Sequence, residues 1–399
     1  MTLLIYLFPA MMDLVVGSSL FVASVRLAAD NASPVAVTTV LALNSVSYLL
    51  ATQFMGWIVT EKNAGNIITL SSLCSACFSI LFIVFPGFLC LYFFVMIQAF
   101  AMAGFFVPFQ IFMKKVEGGK GQGIIKSTAL YTLAWSGGMA MGPFVAGYLW
   151  EATAWQWCFV LNSLMALLTA AGVFYINKTV LEKRNQIVRQ DEASGEIEPY
   201  SKMPNLVRVS WLFGGLACLV WISIRAYFPS TGNHVEMPKA AQGEVLGLLL
   251  GAQAITGLCF YRSKTWMYRV GPMFFFGVLG VLGVFCFALQ KAFIWYYLGA
   301  LLLGIYAGAF FFYFVFHAIS HPTRSARYVS INEGVIGTVG LIGPFIAGLL
   351  ATKVSPEFPY YVGALLMAIV VFSQALVHRR YIPAVKELRW TLSRVSSVN

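Results

Sequence analysis

Asp13 stands about eleven residues into the first long apolar run of the chain, roughly 16 Å along a helix that rises 1.5 Å per residue. A carboxylate at that depth is costly and faces either a polar cavity or a partner on a neighbouring helix. A proton removes the charge and with it the cost, so the position suits a proton carrier or a substrate contact. A structural carboxylate paired with a neighbouring helix is the alternative. Glu333, preceded by Asn332, lies at the start of another apolar run, with Arg324 and Arg327 two to three turns earlier. That placement favours an ion-pair gate near the inner membrane surface over a second proton site.

Other chemistry finds little footing. Cys74 and Cys77 form a Cys-x-x-Cys pair, but inside an apolar run with no histidine or second cysteine pair nearby. A buried, inert thiol pair is expected there, rather than metal or redox work. The stretch Gly118-Gly119-Lys120-Gly121-Gln122-Gly123 lacks the spacing of a phosphate loop and the strand that precedes one, so ATP-driven work is unsupported. Paired catalytic carboxylates, metal-ligand clusters and nucleophile–base sets are missing from the apolar runs. No enzyme activity, cofactor or metal is therefore expected.

The elements that must position these residues follow from composition. Hydrophobic residues make up 59% of the 399 and charged residues 10%, too little charge for a water-soluble surface. Apolar runs recur near 3–25, 35–59, 67–85, 88–112, 124–150, 155–177, 207–228, 242–261, 271–290, 292–316, 329–352 and 358–378. Each is long enough to cross a hydrocarbon core of roughly 30 Å as a helix. The expected class is an all-α polytopic membrane protein with twelve spans. The net charge of +11 is a topology signal: with the N-terminus inside, all but five of the 26 basic residues fall in inner loops and tails. The exceptions are Arg26, Arg225, Lys239, Lys291 and Lys353. Both termini are thus expected in the cytoplasm, and no nucleic-acid partner is needed to explain the charge.

The octapeptide beginning Gly142-Pro143-Phe144 returns 201 positions later as Gly343-Pro344-Phe345, with six of eight residues identical. A repeat at half the chain length in a membrane protein predicts two homologous six-helix bundles. Ser24-Val25-Arg26 likewise matches Ser223-Ile224-Arg225, and Ala103-Gly104 matches Ala307-Gly308. The polar, Gly- and Pro-containing segment between the sixth and seventh runs reads as a linker. The expected organisation is an N-terminal bundle over 1–177, a cytoplasmic linker over 178–206, a C-terminal bundle over 207–378 and a cytoplasmic tail over 379–399.

Within the repeat, Gly138 and Gly142 are one turn apart and expose backbone for close helix contact. Pro143 removes a backbone donor and bends the helix. The pattern Gly138-x3-Gly142-Pro143-x2-Ala146-Gly147 resembles the fifth-helix antiporter motif of the major facilitator superfamily, with Ala-Gly where that family usually has Gly-Gly. Gly343, Pro344 and Gly348 repeat it in the eleventh run. The family's loop motif between the second and third spans is degenerate here: it reads Gly56-Trp57-Ile58-Val59-Thr60-Glu61-Lys62-Asn63-Ala64-Gly65-Asn66. Either Glu61 and Lys62 take over the gating contacts, or this loop no longer latches the halves.

The resemblance covers the whole chain and implies alternating access around a central cavity lined by the first, fourth, seventh and tenth spans. On those spans Gln98, Trp221, Tyr306 and Tyr313 are the cavity candidates, with Gln110 and His317 nearer the inner mouth. Organophosphate antiporters of the family bind phosphate through an arginine pair on the first and seventh helices. Arg26 and Arg225 are placed at the outer ends of those runs, where interfacial snorkelling is the better reading than anion binding. The expected function is proton-coupled transport of a small, partly apolar organic solute, export favoured, by a monomer in a cytoplasmic (inner) membrane. Uptake of a small organic anion or sugar is the runner-up, and a non-transporting membrane sensor the rival of another class.

Overall fold

The structure, a computed structural model, describes residues 4–60, 62–117, 124–181, 205–260, 265–289, 292–319 and 325–395. Twelve long helices account for most of them: α1 (Leu7–Ala29), α2 (Pro34–Ile58), α3 (Ala64–Val84), α4 (Phe88–Glu117), α5 (Ile124–Ala152), α6 (Trp155–Ile176), α7 (Gly215–His234), α8 (Lys239–Phe260), α9 (Val270–Leu289), α10 (Phe293–Ile319), α11 (Ser325–Lys353) and α12 (Phe358–Val395). Helical turns from Val207, with a wider stretch at Ser210–Gly214, lead into α7. Among the described residues, eleven helices are long and apolar enough to cross a membrane. The remaining long helix, α5, spans 29 residues but is diluted by its glycines and Pro143.

Polarity is distributed as a lipid solvent demands. On α3, Leu70, Leu73, Ile80 and Val84 are exposed, while Ser71, Ser72, Ser75 and Ser79 are buried against other helices. Small hydroxyl residues let backbones approach and return their own hydrogen bonds to the helix, as Ser72 does to the Ile68 carbonyl at 2.9 Å. On α12, Leu365, Ile369, Phe372 and Leu376 form a similar outward stripe at helical spacing. Cys77, expected to be buried, lies in the exposed α3 stripe, and Cys74 is half-buried. The seven cysteines are free.

The two halves repeat one packing scheme. In the first, α1 packs on α5 and α6, α3 on α4 and α6, and α2 on α4; in the second, α7 packs on α11 and α12, α9 on α10 and α12, and α8 on α10. The seam between halves is built by α5 against α8 and α11 against α2. Glycine makes these approaches possible. A Cβ on Gly142 would stand 2.5 Å from the Ser18 nitrogen and 2.8 Å from the Gly17 Cα, both on α1. On Gly343 it would stand 2.9 Å from the Leu219 carbonyl of α7. The last glycines of each repeat cross to the opposite half. A Cβ on Gly147 would meet the Lys239 carbonyl of α8 at 2.6 Å, and one on Gly348 the Val35 Cα of α2 at 2.8 Å.

Two local expectations are corrected. α7 does not end at 228: it runs through Pro229 to His234, held by Thr231 Oγ1 to Tyr360 Oη at 2.6 Å and by Asn233 Nδ2 donating to the Ala28 carbonyl at 2.8 Å. Tertiary contacts override a Pro-Ser-Thr-Gly-Asn stretch that reads locally as a turn. The boundary at 378 falls inside α12, which continues to Val395. Pro143 and Pro344 lie within continuous helices. Most of the 178–206 linker and all of Gly118 to Gly123 lie outside the described residues.

The glycine contacts predict a steep local cost. Gly142→Ala and Gly243→Ala, the latter setting a Cβ 2.3 Å from the Pro143 carbonyl, each destabilise the protein by about 1–3 kcal/mol, the usual cost of overpacking. Gly56→Ala, where a Cβ meets nothing within 4 Å, leaves stability unchanged or slightly raised. Thermal midpoints of the purified variants in detergent measure the difference.

Candidate functional site

The two bundles are sealed together at the end opposite the termini. There Asn233 of α7 binds the Ala28 carbonyl of α1, and Glu151 of α5 accepts the Ala240 backbone N–H of α8 at 2.8 Å. Glu244 of α8 accepts hydroxyl hydrogen bonds from Tyr148 of α5 and Tyr297 of α10. Below this seal, Gly17, Leu20, Phe21, Ser24, Leu41, Pro143, Arg225, Ala226, Pro229 and Leu246 enclose a crevice of about 20 Å³, room for one water. It draws on α1, α2, α5, α7 and α8, and so sits between the halves.

Toward the termini, Gly337 of α11 lies against Leu49 of α2, and Gly340 against Ser45. Glu333 is one turn before Gly337 on the same face, and its side chain is exposed. Among the described residues α4 packs on α1, α2 and α3, and α10 on helices of its own half.

Asp13 is buried in α1, and Arg225 of α7 is partly buried. Each lies in the other's electrostatic field, across the boundary between the halves. Among the described residues no hydrogen bond or ion pair within 4 Å ties down the Asp13 carboxylate. Arg225 instead places an Nη 3.4 Å from Met139 Sδ of α5 and its guanidinium 5.6 Å from the Trp221 ring centroid. Trp221 packs edge-on against Phe311 at 5.4 Å, and its buried indole N–H has no partner. Nearer the termini, Tyr48 of α2 and Tyr131 of α5 share the fields of Asp13 and Glu333.

This geometry separates residues that the sequence treats alike. Arg225 is not at an outer helix end, because α7 extends nine residues past it. Arg26 is in the last turn of α1, where it donates to the Pro86 carbonyl, covers the Trp155 ring at 4.2 Å and reaches Asp30 at 3.9 Å. The two arginines therefore serve different surroundings and do not converge on one pocket. Gln98 is spent inside the N-terminal bundle: its Nε2 donates to Ser19 Oγ at 2.9 Å, and Asn162 Nδ2 donates to the same oxygen at 3.0 Å.

Tyr306 and Tyr313 also turn away from the central space. They line a pocket inside the C-terminal bundle with Gly214, Trp266, Met273 and Gln374. Tyr313 Oη lies 3.3 Å from His378 Nε2. His317 is buried, its Nδ1 accepting from the Leu206 N–H at 3.5 Å, rather than interfacial. Of the four cavity candidates, Trp221 alone adjoins Arg225. Lys62 and Arg327 are exposed and form no ion pair among the described residues; Glu61 and Arg324 lie outside those residues. Tyr48, Tyr131 and Met139 are site residues that the sequence reading missed, since a half-buried tyrosine or methionine on an apolar helix carries no local signal.

The major facilitator superfamily model matches residues 3–321. A nucleoside transporter, NupG, is similar in structure, with a TM-score of 0.69 at 11% sequence identity over 95% of this chain and 99% of that one. A bacterial homologue of the human lysosomal transporter Spinster, in an inward-facing and occupied conformation, gives a TM-score of 0.61 at 12% identity, covering 98% and 96% of the two chains. At these identities the likeness is one of fold. No curated protein matches the sequence.

The sealed far end and the exposed Glu333 side chain predict asymmetric labelling. In a background with the seven cysteines replaced, Glu333→Cys reacts with a membrane-impermeant maleimide from the face bearing the termini and is protected from the opposite face. Reaction in sealed vesicles of both orientations measures it; equal labelling from both sides contradicts the closed far end.

Proposed function

Because the chain belongs to the major facilitator superfamily, we propose that it is a secondary active transporter moving a small organic solute by alternating access, with proton coupling through Asp13. The observation that carries this reading is the opposition of buried Asp13 on α1 and Arg225, which lines the crevice between the halves, across their boundary. A carboxylate without a hydrogen bond there is cheap to keep protonated and costly to keep charged unless Arg225 stays close. Protonation weakens the attraction between α1 and α7, and deprotonation restores it. The proton thereby acts on the relative position of the halves, which is what coupling requires.

The two seams of small residues supply the bearing surfaces for such a movement. Gly147, Gly243 and Gly247 line the α5–α8 contact, and Gly337, Gly340 and Gly348 the α2–α11 contact. Side chains without branches do not interlock, so the bundles rock with little repacking. With both termini in the cytoplasm, as the basic loops indicate, the sealed end faces outward. Export is preferred over uptake because the α5 motif resembles the antiporter motif of the family. The membrane is the cytoplasmic one, the working unit a monomer, and the coupling ion H+.

Flux in proteoliposomes tests the proposal. An imposed pH gradient drives one class of a mixed solute panel across the membrane, and Asp13→Asn abolishes the gradient dependence, with at least a tenfold fall in initial rate. Unchanged flux in Asp13→Asn assigns Asp13 a structural role and points to another coupling ion. Absence of flux for every solute favours a sensor that binds without transporting.

A further inference from the structure

We propose that the sealed end is latched along one seam: a polar ladder between α5 and α8 holds the halves shut, and the repeat-related seam of α2 and α11 adds no lock. From the transporter reading above, this takes only that the sealed end opens.

The ladder has two rungs. Tyr148 and Glu151 are three residues apart on α5, and Ala240 and Glu244 four apart on α8, so each pair shares one helix face. There α5 approaches its end and α8 has just begun, so the two pairs meet in order. On the deeper rung Tyr148 donates to one Glu244 oxygen, while Tyr297 of α10 donates to the other. Tyr297 belongs to the same half as Glu244 and holds the carboxylate aimed across the seam. On the second rung Glu151 Oε2 accepts the Ala240 backbone N–H at 2.8 Å, a first-turn donor with no partner inside its own helix. A carboxylate of one half thus caps a helix of the other, at the end where the helix dipole favours negative charge. The backbones touch beside the rungs, a Cβ on Gly147 meeting the Lys239 carbonyl at 2.6 Å. Lys239 Nζ lies 5.8 Å from the Trp150 ring centroid, again across the seam.

The internal repeat supplies the comparison. At the offset of 201 residues, Leu349, Ala351 and Thr352 of α11 stand where α5 has Tyr148, Trp150 and Glu151. Gly348 packs on α2 as Gly147 packs on α8, so the close approach is kept and the side chains that could bridge it are not. The Thr352 hydroxyl returns to the Gly348 carbonyl at 2.8 Å, and those of Thr38 and Thr39 to the Val35 carbonyl at 3.1 and 2.7 Å. Among the described residues no hydrogen bond joins α2 to α11 at this end, and α1 and α7 share the one from Asn233 to Ala28. Hydrogen bonds that end on a charged group are the stronger kind, and apolar contact between helices adds little in lipid. The α5–α8 ladder therefore sets how firmly this end is closed over the crevice beneath it.

Labelling of a single cysteine tests this. Leu41 is buried and lines that crevice. In a background with the seven cysteines replaced, Leu41→Cys is treated with a membrane-impermeant maleimide from the face opposite the termini, with no solute present. Tyr148→Phe combined with Glu151→Ala raises the labelling rate at least fivefold. Glu151→Gln, which keeps an acceptor for the Ala240 N–H, retains most of the protection. The near-isosteric pair Thr38→Val with Thr352→Val stays within twofold of the parent. No acceleration in a folded double ladder variant, or equal acceleration by the threonine pair, overturns the inference. If the double variant fails to fold, Tyr148→Phe alone decides: it removes one hydroxyl from an exposed residue, and a rate equal to the parent's overturns the latch. Labelling that responds as expected in a protein without flux leaves the latch standing and removes the transport proposal; proton-driven flux with unresponsive labelling does the reverse.

Discussion

Close backbone contact at glycine is the constraint on which the rest of the structure depends. In lipid there is little hydrophobic gain from pressing one apolar helix on another, so association rests on packing and on groups that need a partner. The repeated Gly-Pro segment answers this twice. In α5, Gly142 lies on α1 of its own half and Gly147 on α8 of the other; in α11, Gly343 lies on α7 and Gly348 on α2. Each of these helices is at once a pillar of its bundle and the wall of the seam. Pro143 adds to this: it has no N–H for the Met139 carbonyl, and that carbonyl lies against Gly17, where a Cβ would stand 2.7 Å away.

Polar groups divide into those the bundles have consumed and those left for work. Gln98 and Asn162 both donate to Ser19 inside the N-terminal bundle, and Tyr313 meets His378 in the C-terminal one. Glu151 and Glu244 are occupied at the closed end. The carboxylates of Asp13 and Glu333 have no such partners among the described residues, and both face the boundary between halves. An unspent charge is expensive in a membrane, and that cost is the physical case for placing function at these carboxylates.

The degenerate loop after α2 fits this division. Thr60 and Asn63 close it locally, the Thr60 N–H donating to Asn63 Oδ1 at 2.7 Å and Asn63 Nδ2 to the Ile58 carbonyl at 2.8 Å. Lys62 stays exposed. Among the described residues, contacts between the halves lie at the far end and along the glycine seams.

Apolar run length, the half-chain repeat and the distribution of charge suffice to determine a membrane protein of twelve helices in two related bundles. Those properties depend on composition and period, and each residue contributes to them independently of its distant neighbours. The depth of Asp13 is legible for the same reason, since distance along a helix is linear in residue number. Which face of a helix points to the centre is another matter. Gln98 and Tyr313 read as cavity residues by depth, and turn inward to their own bundles, where Ser19 and His378 offer partners; Tyr306 packs against Phe310 and Gly280. Arg225 reads as a helix-end residue beside Pro229, yet Tyr360 and Ala28, far away in sequence, continue α7 past it. The opposition of Asp13 and Arg225 exists only once α1 and α7 are set side by side. A seam between halves is made of contacts about two hundred residues apart, and no local pattern encodes which of them meet.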